Sequence, residues 1–132
     1  MVNEKQALEF CSRWLPAWTG NKPDRLIEFY SNDALYLDPA NKAGLKGRDQ
    51  ILSYFKKLLG MNPNWIWEVL EVYPTEKGFL GKWKATIPVG VDVIIAHGVD
   101  IVEIKGSKIV RNEVYFDRTE LLEALMRLKT KK

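Results

Sequence analysis

The hydrophobic pattern of this chain changes period once, at Gly60, and that change limits the fold more than any other feature. Before it, apolar residues recur at helical spacing. Ala7, Leu8, Cys11, Trp14, Leu15 and Trp18 predict a first helix over residues 3–19, stopped by Gly20 and Asn21. A second, short helix opens near Pro23-Asp24 and carries Leu26, Ile27, Phe29 and Tyr30. A short strand, Ala34-Leu35-Tyr36-Leu37, then delivers Asp38, and residues 41–46 read as a polar loop. The third helix covers 50–59, with Ile51, Leu52, Tyr54, Phe55, Leu58 and Leu59 on its apolar side and Gly60 closing it. Beyond that glycine the pattern alternates. Trp65, Trp67 and Val69 oppose Ile66, Glu68 and Leu70, and Phe79, Gly81, Trp83 and Ala85 oppose Leu80, Lys82 and Lys84. A long strand over 91–104 turns at Lys105-Gly106-Ser107 into another over 109–116, and residues 120–128 close the chain as a helix. Three N-terminal helices and one early strand, followed by a curved antiparallel sheet, predict an α+β fold. The helices cover one face of the sheet, and the resulting cone encloses a pocket.

Composition removes several function classes. A chain of 132 residues suits one domain spanning 1–132, with a frayed basic tail from about residue 127. No apolar run approaches the ~20 residues of a membrane span, so no membrane partner is expected. The first residues show no charged segment followed by an apolar one, which points to a cytoplasmic protein. The net charge of +3 comes largely from the tail, and no nucleic-acid-binding signature accompanies it. The glycines form neither a P-loop nor a dinucleotide fingerprint, so no nucleotide cofactor is expected. Cys11 is the single cysteine and reads as inert packing. His97 is the single histidine and cannot build a metal site alone.

Chemistry is carried by two acids and a set of aromatics. Asp38 ends an apolar strand and is followed at once by Pro39, which turns the chain away. A carboxylate facing an apolar hollow there would gain basicity. Asp100 lies within Gly98-Val99-Asp100-Ile101-Val102, and a buried acid in such a strand is unfavourable unless paired or neutralised. Trp14, Trp18, Trp65, Trp67 and Trp83 are all of the tryptophans; parity sends the last three to one sheet face, where they would line or fill a pocket for a flat hydrophobic molecule. Tyr30, Tyr36, Phe55, Val102, Asn112, Val114 and Phe116 complete the expected lining, with Asn112 as a polar contact. Asp117-Arg118 reads as a cap and local ion pair before the last helix. By parity His97 faces the outer side of the sheet, opposite to Asp100.

Phe29-Tyr30-Ser31-Asn32-Asp33-Ala34, Asp38-Pro39, Gly47 with Ile51 and Phe55, Gly98-Val99-Asp100 and the turn Gly106-Ser107-Lys108-Ile109 resemble the nuclear transport factor 2-like superfamily, in particular its SnoaL-like and ketosteroid isomerase-like branches. The resemblance spans nearly the whole chain. It implies a conical α+β barrel, often a homodimer joined through the outer sheet face, with a cofactor-free pocket for a small hydrophobic molecule. The superfamily hosts several reactions, so the fold alone fixes none. In the isomerase branch the acid at the Asp38 position is the base beside a ketone, and a protonated acid at the Asp100 position donates to the enolate. The tyrosine of that branch is replaced by Trp14. The epoxide-hydrolase branch needs an arginine where this chain has Gly98, and the dehydratase branch needs two histidines. The resemblance thus implies proton transfer next to a carbonyl with Asp38 as base. The alternatives are a SnoaL-type polyketide cyclase and a non-catalytic binding or dimerisation module.

Overall fold

The computed structural model describes residues 2–130. Asn3 starts helix α1 (Glu4–Trp14) with a reciprocal cap: its side chain accepts from the Gln6 backbone N–H, and the Gln6 side chain accepts from the Asn3 N–H. The helix stops short of the predicted residue 19. Pro16 has no N–H to continue the ladder, so the chain tightens into a 3-10 turn, Leu15–Trp18. α1 buries Ala7, Phe10, Cys11 and Trp14, while Leu8, expected on that face, is exposed. Helix α2 (Pro23–Ile27) is also shorter than expected, because Tyr30 belongs to strand β1 (Tyr30–Asp38) rather than to the helix.

Residues 41–46 form strand β2 (Asn41–Lys46), not a loop. β2 is a sheet edge with no fully buried residue, so it carries no alternation to read. Helix α3 (Arg48–Met61) continues through Gly60, and the Asn62 side chain closes it by donating to the Leu58 carbonyl at 2.8 Å. Strands β3 (Ile66–Pro74), β4 (Gly78–Val89), β5 (Asp92–Lys105) and β6 (Lys108–Phe116) follow, then helix α4 (Thr119–Thr130). α4 takes in residues 127–130 of the segment expected to fray, and the rest of that tail lies outside the described residues.

The strands form one curved six-stranded sheet in the order β2-β1-β6-β5-β4-β3. It is mixed, since β1 pairs with β6 in parallel while every other pair is antiparallel, which corrects the all-antiparallel expectation. A parallel neighbour needs a long crossover, and the chain between β1 and β6 supplies it. The inner face of β4 buries Phe79, Trp83, Ala85, Ile87 and Val89 against the helices. Gly98 on β5 is needed for close approach: a Cβ there would stand 2.4 Å from the Trp83 ring and 2.8 Å from Phe116 Cβ. The absence of that one carbon lets the Trp83 indole lie flat across β5 toward Asp100. α4 packs against β4 and β5 and flanks one end of the inner face.

Candidate active site

A cavity of about 340 Å³ lies between the inner sheet face, the 3-10 turn, α3 and α4. Of the residues expected to line it, Asp38, Asp100, Trp18, Tyr36, Trp65, Trp67, Trp83, Val114 and Phe116 do so. Trp14, Tyr30, Phe55, Val102 and Asn112 do not. They form the packed layer behind the wall: Val102 and Asn112 share the strand parity of Asp100 and Val114 but lie two residues away along β5 and β6, where they are fully buried. Trp18, Trp65, Trp67 and Trp83 line the cavity, whereas Trp14 is packed in the core. Trp67 stands edge-on to Trp83 with ring centroids 4.8 Å apart, and Trp83 stands edge-on to Phe116 at 5.4 Å.

Asp38 is a saturated acceptor. Its Oδ1 takes hydrogen bonds from the Ala40 N–H (2.9 Å), the Asn41 N–H (2.8 Å) and the Asn41 side-chain amide (2.9 Å). Its Oδ2 takes the hydroxyls of Tyr36 (2.9 Å) and Tyr54 (2.5 Å). A carboxylate offers about four lone-pair sites, so five donors leave it little capacity for a substrate proton. The two backbone bonds also fold the chain from β1 into β2. Asp38, the expected base, thus anchors a turn and two phenols. Burial, with further contributions from Asp38, holds both phenols neutral: the Tyr36 hydroxyl is pushed well above its ordinary value, and Tyr54 is raised in the same direction.

Asp100 is the opposite case. Only 4% exposed, it accepts one hydrogen bond within the wall, from Trp83 Nε1 to Oδ1 at 3.2 Å. Desolvation pushes its carboxyl up to about 7, partly offset by hydrogen bonding from Trp83 and Asn112. Asn112 is itself oriented from behind. Trp14 Nε1 donates to the Tyr30 hydroxyl at 3.3 Å, and that hydroxyl donates to Asn112 Oδ1 at 2.8 Å, which turns the amide N–H₂ toward the Ile101 carbonyl side. Cys11 lies in the same layer. Burial and the nearby Asp100 charge push its thiol up to about 12, which fits its reading as inert packing.

Part of the lining was missed by sequence reading. Leu15, Leu58, Met61, Leu121, Leu122 and Leu125 stand on helices, where a cavity-facing residue looks like any other on an apolar stripe, and Asn62 follows α3. Pro39 and Ala40 come from the turn after β1. Arg118 is the notable omission. Asp117 does not pair with it but accepts from the Thr119 N–H (2.9 Å) and hydroxyl (2.6 Å), capping α4. Arg118 instead reaches into the cavity wall, where its Nη2 donates to the Pro39 carbonyl at 3.3 Å. No group of three or more His, Cys, Asp or Glu side chains that could hold a metal ion stands together among the described residues. His97 is exposed on the outer sheet face.

The chain matches the model of the SnoaL-like domain over residues 11–112. No curated relative matches it in sequence. Among solved structures it is similar to a hypothetical protein with a ketosteroid isomerase-like fold from Catenulispora acidiphila DSM 44928, crystallised with trimethylamine, at 21% identity and a TM-score of 0.78, covering 89% of this chain and 92% of that one. It is also similar to a SnoaL-like polyketide cyclase, so named without proof of activity, from Jannaschia sp. CCS1 (15% identity, TM-score 0.76, 92% of each chain). A protein of the same description from Shewanella putrefaciens CN-32 matches at 14% identity and a TM-score of 0.76, over 96% of this chain and 88% of that one. At these identities the likeness speaks for the fold. Together with the domain match, it shows that the chain belongs to the SnoaL-like family of the nuclear transport factor 2-like superfamily.

Proposed function

We propose that this domain binds a small, flat hydrophobic molecule and transfers a proton next to a carbonyl group without a cofactor, with Asp100 as the group that moves the proton. The observation that carries this reading is the contrast between two acids on one cavity wall: Asp38 accepts five hydrogen bonds, whereas Asp100 is held only by Trp83 in the wall and by Asn112 behind it and is desolvated. An acid/base group works best when it titrates near the working pH, and burial brings Asp100 there. In the step envisaged, ionised Asp100 takes a proton from the carbon beside the carbonyl, and the C–H electron pair moves onto the carbonyl oxygen as an enolate. Asp100 then returns the proton to another carbon, which is isomerisation, or the enolate carbon attacks a second carbonyl and closes a ring, and Asp100 returns the proton to the alkoxide so formed. The polyketide-cyclase descriptions of two structural neighbours fit the second ending. The homodimer joined through the outer sheet face belongs to the same proposal, and exposed Ile66, Ile95 and Tyr115 on that face support it.

The reaction is best tested without guessing the natural substrate. 2-Tetralone is a flat bicyclic ketone whose protons beside the carbonyl exchange with D₂O, which NMR follows directly. Wild-type protein should accelerate exchange with a rate that rises through about pH 7. Asp100→Asn should lose about a hundredfold or more of that acceleration, and Asp38→Asn far less while it stays folded. The reverse pattern would return the base role to Asp38. Binding without exchange in all three proteins would leave a non-catalytic binding module.

A further inference from the structure

Subtracting the internal hydrogen bonds from the cavity wall leaves an unusual remainder. The acceptors of Asp38 are filled, Trp83 Nε1 is given to Asp100, and both pocket tyrosines donate to Asp38. What stays open is mostly donors. Arg118 uses one of its five N–H groups on Pro39 and forms no ion pair among the described residues. It is the only basic side chain among the lining residues and is half-buried against an otherwise apolar surface. Trp18, in the same wall, has a buried indole N–H with no partner among the described residues. A partly desolvated guanidinium without an ion-pair partner is poorly matched to an apolar ligand and well matched to paired oxygens. Arg is also the side chain whose planar fork fits a carboxylate with two parallel hydrogen bonds.

We infer that the cavity takes a flat apolar molecule bearing a carboxylate, and that Arg118 is the residue that holds that carboxylate. This rests on the ligand-binding reading above and adds the charge of the ligand and the end of the cavity at which it sits. The volume suits it: about 340 Å³ lies at the lower end of the roughly 300–1,000 Å³ found for small-molecule pockets, which favours a bicyclic or tricyclic body. The Trp65, Trp67, Trp83 and Phe116 faces hold the rings, and Arg118, beside Pro39, holds the charged end.

The test is a calorimetric titration with three probes that share a ring system and differ in charge: 2-naphthoate, 2-naphthamide and 2-naphthylmethylammonium. Wild-type protein should bind naphthoate about tenfold or more tighter than the amide, as expected for a charge-assisted contact. Added sodium chloride should narrow the gap. Arg118→Met should abolish the preference while leaving the amide bound, and Arg118→Lys should restore part of it. Arg118→Gln, which keeps donors without charge, provides a second variant if the methionine substitution lowers the melting temperature. Equal binding of naphthoate and the amide by wild type, a preference for the ammonium, or a preference that survives in Arg118→Met and Arg118→Gln would each overturn the role of Arg118 while leaving a ligand-binding cavity. Failure of folded wild-type protein to bind any probe would overturn the cavity reading and the Arg118 inference together.

Discussion

Asp100 keeps its proton up to about pH 7 because ionising it would place a charge in a layer from which water has been removed. In the unfolded chain the same group titrates near 3.8. Between about pH 4 and pH 7 the unfolded state has therefore lost a proton that the folded state retains, so this group's contribution to stability falls as pH rises through that window and levels off above it. The full difference is on the order of 4 kcal/mol. Asp100→Asn removes the titration, and the gap between variant and wild type should widen in the variant's favour as pH is raised from 4 to 7, measured by urea midpoints at each pH. Parallel stability curves would mean that Asp100 titrates as an ordinary carboxylate. Sequence alone singled out both acids and put Asp38 first, as the base. An Asp followed by Pro looks the same whether its oxygens are empty or filled, and the donors that fill Asp38, Tyr54 and Asn41 among them, come from a helix and a strand that the sequence does not place beside it. Arg118 was misassigned for the same reason, since the adjacent Asp117 offered a local partner that in the folded chain turns to Thr119.

At the scale of elements, the antiparallel pairing of β4 and β5 fixes the back of the site. Trp83 reaches Asp100 by passing over Gly98, with no room for a methyl group between ring and strand. Gly98→Ala should destabilise the protein by about 1–3 kcal/mol, as overpacking typically does. It should also tilt the indole away from Asp100. The urea midpoint reads the first effect and the pH dependence of exchange reads the second; an alanine variant with both unchanged would mean that the wall yields easily. The period change at Gly60 made the helices and the long strands β3 to β6 readable, because their buried faces repeat at 3.6 or 2 residues. The same signal fails for β2, an edge without a buried face, and at Pro16, where a backbone constraint overrides an intact apolar stripe. It also cannot see that β1 lies parallel to β6, since pairing direction leaves no trace in a strand's own alternation.

For the whole molecule, one face of the sheet holds the cavity and the helices, and the other is uncovered. Ile66 and Ile95 flank Thr86 in register across β3, β4 and β5, and Tyr115 stands beside Val99 on β6 and β5, all on the outer side. Arg111 joins Glu103 and Glu113 on the same face, and Tyr115 also donates to Glu113, so these charged groups would enter an interface with partners already in place. A second copy would bury this surface against its equal, as two-fold pairing requires. Light scattering should therefore give twice the mass of one chain at micromolar concentration. Ile95→Arg, which sets two like charges near the centre of a self-complementary face, should shift the protein to monomer. Because the cavity lies on the face of the sheet opposite to this surface, the monomeric variant should keep the wild-type affinity for 2-naphthoate. A wild-type monomer would remove the pairing while leaving the site intact; a monomeric variant that loses naphthoate binding would show instead that the second copy props the sheet in the curvature that the cavity needs.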